Sequence, residues 1–126
     1  TKFAVEGITE SLSFELSAIG CQAKIVEPGT IATDFAGRSF DFQNDASITE
    51  YQPMISAMLQ GIEAVTADKS RAAPPSVVAE VIFQAATDGT DRLRYTAGYD
   101  ADHFLGPRAQ STDEEYIKAV KQQFGL

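Results

Sequence analysis

The chain has 126 residues, a length for one domain, and its 44% hydrophobic and 22% charged content is that of a globular protein and not of a disordered one. Ten Lys and Arg stand against 18 Asp and Glu, a net charge of −8, which excludes the basic face that nucleic acids or an anionic membrane surface would require. No apolar run approaches the ~20 residues that span a bilayer, and the one cysteine excludes an intrachain disulfide or a multi-Cys zinc site and fits a reducing compartment.

Val5, Ile8, Leu12, Leu16 and Ile19 recur every three or four residues and predict a helix at the start of the chain. Ala4, Gly7, Ser11 and Ala18 are small neighbours of this stripe that would admit a second helix closely. Gly20 is placed to end the helix with a left-handed cap. No capping residue precedes Thr1 and no leader pattern is visible, so the helix is expected to begin upstream of the given residues. Residues 23–27, β-branched at their centre, read as a strand. It is expected to stop at Pro28, which has no N–H for the ladder.

Residues 30–46 lack periodicity. Phe35, Phe40 and Phe42 among polar residues and glycine predict a loop laid over something apolar. Ile48, Tyr51, Ile55, Met58, Ile62 and Val65 restore helical spacing, with the helix opening either at a Ser47/Glu50 capping box or near Pro53. Residues 66–73 read as a polar linker. A third helix is expected from Pro74, Pro75 and Ser76, with Val78, Val81, Ile82 and Ala85 on one face and Asp88-Gly89 at its end.

Residues 93–98 read as a second strand, with Arg92 and Arg94 blunting an edge. Ser111-Thr112-Asp113-Glu114-Glu115 opens a last helix through one of two overlapping capping boxes, its acids favouring the helix dipole and Tyr116, Ile117, Val120 and Phe124 forming its apolar face. Cys21, with no base beside it, is expected to be a small buried residue. His103, with Asp100 and Asp102, is expected in a solvated turn, and no metal site is expected. The order of elements predicts an α/β fold. Two strands are too few to bury the apolar faces of four helices, so further parallel strands are expected upstream.

Three runs carry a resemblance: Thr1-Lys2-Phe3-Ala4-Val5-Glu6-Gly7, Ser11-Leu12-Ser13-Phe14-Glu15-Leu16, and Val26-Glu27-Pro28-Gly29-Thr30-Ile31-Ala32-Thr33-Asp34-Phe35. Together they resemble the C-terminal half of a short-chain dehydrogenase/reductase. That family places a catalytic tyrosine four positions before a lysine, and a later strand ends in Pro-Gly-x-x-x-Thr. Lys2 matches the lysine, and Pro28, Gly29 and Thr33 match the second motif. The resemblance implies an α/β fold, the C-terminal part of a Rossmann-like doubly wound parallel sheet with its N-terminal half missing. Residues 1–126 would be the C-terminal portion of a single NAD(P)-binding domain, with a substrate-covering segment at about 35–65. It also implies NAD or NADP as cofactor and a small alcohol or carbonyl as substrate. The enzyme would be cytoplasmic, and a homodimer or homotetramer built through the opening helix. The tyrosine and the family's glycine-rich loop would lie upstream, so the chain alone is expected to be inactive.

The resemblance gives Lys2 two tasks, holding the nicotinamide ribose and lowering the tyrosine pKa from about 10. At ~4 Å and an effective dielectric of ~20, one positive charge is worth about 4 kcal/mol to a phenolate. Taken alone, Lys2 reads as a solvated surface lysine. Pro28 and Gly29 end a strand, and Gly29 would let a flat ring approach the backbone. The Ile31 backbone and the Thr33 hydroxyl would meet the nicotinamide carboxamide. The alternative for this segment is a strand-ending turn with a local bond at Thr33. Phe35, Met54 and Met58 would line an apolar substrate pocket with Phe40, Phe42 and Tyr51. The two methionines fit an ordinary helix core equally well. The rival reading of the whole chain is a non-enzymatic interaction module, its partner surface formed by the opening helix and the helix at 48–65.

Overall fold

The computed structural model describes residues 2–35, 38–67 and 72–123. Five helices and two strands follow in the order α1 (Lys2–Ser17), β1 (Ile25–Pro28), α2 (Gln52–Ala67), α3 (Pro75–Thr87), β2 (Arg94–Ala97), α4 (Ala101–Gln110) and α5 (Asp113–Gln123). The strands form a parallel pair with Ile25 opposite Arg94 and Pro28 opposite Ala97. The fold is therefore α/β, with a two-stranded parallel sheet among the described residues. Thr1 and Phe124, both assigned from sequence, lie outside the described residues, as do positions 68–71 of the expected linker.

Helix α1 ends as its sequence predicts. Gly20 has φ 76°, its N–H reaches Ser17 O at 3.1 Å, and the Cys21 N–H reaches Leu16 O at 3.0 Å. These two bonds make a Schellman motif, which needs a residue without a Cβ at its left-handed position. Helix α3 starts on Pro75 and ends at Asp88, as expected. Of the two capping boxes considered for α5, Thr112 forms one: its N–H donates to Glu115 Oε2 at 2.9 Å, and the Glu115 N–H donates to Thr112 Oγ1 at 3.3 Å.

Strand β1 does stop at Pro28, as expected, although the Gly29 N–H still bonds Ala97 O at 2.8 Å. Several expectations are corrected. Ser47 and Glu50 form no capping box. Ser47 instead gives both its N–H (2.9 Å) and its hydroxyl (2.6 Å) to Asp45. A 3₁₀ turn at Thr49–Tyr51 then leads into α2, with Pro53 in its first turn. Positions 66–73 are not simply linker, since α2 runs to Ala67. Ala73 is fully buried and bridges Ile31 in parallel. His103 lies in a helix, α4, that sequence did not predict. Cys21 is exposed, because the Schellman turn places it at the surface. Phe35, 71% exposed, covers nothing among the described residues. Phe40 and Phe42 stack on each other at 5.6 Å.

The two faces of the strand pair differ. Tyr95 and Ala97 are buried, as is Ala85 of α3, which packs on both strands. Tyr95 donates from its hydroxyl to Asp88 Oδ2 at 2.7 Å. Lys24 donates to the carbonyls of Thr90 and Arg92 and to the Tyr95 oxygen, and lies 3.8 Å from Asp88. The Arg92 guanidinium sits over the Tyr95 ring at 4.5 Å. Arg94, on the opposite face, binds Glu10 of α1 at 2.6 Å and lies 3.7 Å from Glu27. Arg92 and Arg94, expected to blunt an edge, thus make specific contacts at the surface of the strand pair. Helix α1 itself leaves Val5, Ile8 and Leu12 exposed. Among the described residues no helix is long and apolar enough to cross a membrane.

The hydrogen bond from Tyr95, followed by the Thr90 N–H and the Lys24 charge, lowers the Asp88 pKa from 3.8 to about 2. A carboxylate held below its unfolded value stabilises the fold fully above that value and loses the contribution as pH falls through the folded one. Asp88→Asn should therefore lower the Tm of the intact protein at neutral pH. The gap to wild type should close as the buffer is taken from about pH 4 to about pH 2. A gap constant across that range would show that Asp88 titrates normally.

Candidate functional site

Open α/β sheets take ligands at the carboxyl ends of their parallel strands. Here that edge is built by four segments. Gly29, Thr30 and Ile31 follow β1, Gly98, Tyr99 and Asp100 follow β2, Ala73 precedes α3, and Ala101 begins α4. The Ala73 N–H donates to Thr30 O at 2.9 Å, and the Ala32 N–H donates to Ala73 O at 2.8 Å. Asp100 Oδ1 accepts the Thr30 N–H at 2.8 Å. Gly98 turns the chain with φ 107°, and a Cβ there would lie 3.4 Å from the Ile31 side chain.

Gly29 has a specific steric cause. A Cβ there would overlap Asp100 Oδ1 and would lie 2.8 Å from Ala101 N and 3.0 Å from Asp100 Cγ. The space cleared by the glycine is filled by the start of α4, so protein packing by itself requires a glycine at this position. The neighbouring Pro28 is exposed.

The Ile31 carbonyl accepts the Thr33 N–H at 2.8 Å. This local bond at Thr33 uses its backbone. The Ile31 N–H and the Thr33 hydroxyl have no hydrogen-bond partner among the described residues, and Thr33 is exposed. Two residues apart on a pinned loop, they offer one donor and one donor–acceptor to an incoming polar group.

Lys2 stands exposed in the first turn of α1. Its side chain makes no ion pair and no hydrogen bond with the described residues, and none of the hydrogen bonds of the loop at 28–33 involves it. The apolar residues assigned to substrate also separate. Met54 lines a shallow depression of about 220 Å³ with Asn44, Asp45, Ile48, Tyr51 and Ile55. Phe35 and Met58 do not line it. Its rim is fixed by paired side-chain amides, with Asn44 donating to Gln52 at 3.1 Å and Gln52 returning a bond at 3.2 Å. Among the described residues no group of three His, Cys, Asp or Glu side chains is placed to hold a metal ion.

Sequence reasoning missed Ala73 and Asp100. The available signal was the symmetry of the two strand ends, each followed at once by a glycine, with an aspartate two residues after Gly98. No spacing within one segment could show that this aspartate reaches across to Thr30.

Three known proteins bear on this edge. The chain is 34% identical over 131 residues to an uncharacterised oxidoreductase of Schizosaccharomyces pombe, covering 100% of the chain and 51% of that protein. It is 28% identical over 119 residues to an oxidoreductase of Botryotinia fuckeliana, covering 91% of the chain and 42% of the relative. It is 31% identical over 120 residues to a retinol dehydrogenase of Rattus norvegicus, covering 85% of the chain and 36% of the relative. No protein-family model matches the sequence. The chain thus spans about half the length, or less, of the curated relatives it matches, and these relatives are named as oxidoreductases.

Because the start of α4 fills the space beside Gly29, Gly29→Ala should destabilise the intact protein by about 1–3 kcal/mol, the usual cost of overpacking. Thermal unfolding without any added ligand is the measurement. An unchanged Tm would mean that Asp100 does not occupy this space.

Proposed function

We propose that the chain is the C-terminal part of a Rossmann-like domain of the short-chain dehydrogenase/reductase type. The whole protein would transfer hydride between NAD or NADP and a small alcohol or carbonyl. The observation that carries this reading is the pinned loop at the carboxyl edge of a parallel strand pair, whose Ile31 N–H and Thr33 hydroxyl have no partner among the described residues. The oxidoreductase names of relatives that match 85–100% of the chain support the choice of chemistry.

The donor set fits a carboxamide. Ile31 N–H can donate to the amide oxygen, and the Thr33 hydroxyl can accept from the amide nitrogen. Pro28 and Gly29 hold the start of this loop to the sheet. The bound nicotinamide would supply the hydride-accepting or hydride-donating carbon. Every other task falls to the protein: orienting the amide, excluding water, and moving a proton at the substrate oxygen.

Lys2 serves the last task. Its ammonium group, one helical turn after the position where the family carries tyrosine, would favour the phenolate and hold a ribose hydroxyl. The depression beside Met54 lies in the segment assigned to covering substrate, and its apolar members Ile48, Tyr51 and Ile55 suit a small apolar group. Helix α1 would also carry self-association to a homodimer or homotetramer. Its exposed Val5, Ile8 and Leu12, together with the open space around Gly7, support a close helix contact.

Two measurements on the intact protein test this. Lys2→Met should lower kcat by roughly two to three orders of magnitude, since about 4 kcal/mol of phenolate stabilisation is at stake. Turnover equal to wild type would remove the role given to Lys2. Leu12→Glu should shift the protein toward monomer in sedimentation velocity, and an unchanged assembly would remove α1 from the subunit contact.

A further inference from the structure

We infer that Asp100 is the positioning residue of the nicotinamide-binding loop at 28–33, an assignment that rests on the function proposed above. Asp100 occupies the N-cap position of α4, where an aspartate ordinarily turns its carboxylate onto its own helix. It makes no such cap bond here. Its Oδ1 instead crosses to the other strand end and accepts the Thr30 N–H at 2.8 Å. A carboxylate acceptor makes this a charge-assisted bond, stronger than one between neutral groups.

The consequence reaches the proposed ligand through covalent geometry. Asp100 holds the Thr30 N–H, and Ala73 holds the Thr30 carbonyl at 2.9 Å. The Thr30 carbonyl and the Ile31 N–H belong to one planar peptide, so fixing the first fixes the direction of the second. Both bonds together leave Thr30 little freedom to rotate, and the Ile31 N–H is aimed before any ligand arrives. Preorganisation of this kind improves binding by removing an ordering cost.

Gly29 is the other half of the device. A side chain there would overlap the same Asp100 oxygen that binds Thr30. The glycine therefore makes room for the aspartate, and the aspartate sets the loop. Gly98, with its left-handed φ of 107°, delivers Asp100 to this place from the end of β2.

The experiment uses the intact protein and the variants Asp100→Asn and Asp100→Ser. Asparagine keeps an acceptor oxygen at the same reach. Serine is a favoured N-cap residue and is too short to reach Thr30, so the cross-strand bond is lost, and the Tm of each variant checks that folding is preserved. Amide hydrogen exchange of the segment 28–34 is measured without cofactor, and the Kd for NADH and NADPH is read from nicotinamide fluorescence. Losing one charge-assisted bond, Asp100→Ser should raise both the exchange rate and the Kd about tenfold, and Asp100→Asn should restore both to within about threefold of wild type. Unchanged exchange in Asp100→Ser overturns the inference. So does faster exchange with an unchanged Kd, which would make the bond purely structural. If wild type binds neither dinucleotide, the proposed function fails and takes the inference with it. If wild type binds and Asp100→Ser binds equally well, the inference alone fails.

Discussion

The Asp100 carboxylate, accepting the Thr30 N–H, ties the loop after β1 to the residues after β2. The strand pair is four residues long on each side, and a two-stranded ribbon is marginal by itself. What makes its carboxyl edge a defined surface is the set of bonds beyond the ladder. Gly29 binds Ala97, Thr30 binds Asp100 and Ala73, and Ala32 binds Ala73. These bonds draw α3 and α4 onto the same edge. Buried peptide groups must find partners, and here they find them across three segments far apart in sequence. The Ile31 N–H, on the peptide whose carbonyl Ala73 holds, has no partner among the described residues.

The opposite edge is closed by different chemistry. Lys24, Asp88, Thr90 and Tyr95 interlock around the turn between α3 and β2. The Tyr95 ring is 2% exposed, with its hydroxyl on Asp88. A buried phenol with a satisfied hydroxyl contributes both apolar area and a specific orientation. The amino end of the strand pair is thus held by side-chain bonds around Tyr95, and its carboxyl end by backbone bonds and the Asp100 carboxylate.

What sequence could show follows from the range of each interaction. The Gly20 cap, the Pro75 start and the Thr112–Glu115 box are local devices, readable from residues three to six apart, and all three form as expected. The Ser47–Glu50 box has the same spacing and fails, because Asp45 two residues earlier captures both Ser47 donors. Helix α4 was invisible because it carries Gly106 and Pro107 inside ten residues and has no apolar stripe. Asp100 reaching Thr30, and Lys24 reaching Asp88, are contacts across more than sixty residues, and no periodicity encodes them. The candidate site divides in the same way. The motif at 28–33 was legible, while the cause of its glycine lay in a helix start seventy residues later.

The two halves of the proposed chemistry are held with unequal strength. The loop at 28–33 is fixed by backbone bonds to Ala97 and Ala73 and by the Asp100 carboxylate. Helix α1, which bears Lys2, meets the sheet through the Arg94–Glu10 pair, whose partners are 40% and 48% exposed. Such a pair is worth about 1 kcal/mol at most. Glu27 adds little, since burial and the nearby Glu6 charge raise its pKa, while Arg94 only partly opposes them. Against this stand Val5, Ile8 and Leu12, all exposed on α1, each worth about 1.5–3 kcal/mol when fully covered. Covering that stripe therefore outweighs the ion pair several times over. Whatever surface buries it, further sheet or a second subunit, sets the angle of α1. The distance from the Lys2 ammonium to the Ile31 N–H is then fixed by that packing and only trimmed by Arg94. Preorganised chemistry between the two requires the stripe to be covered first.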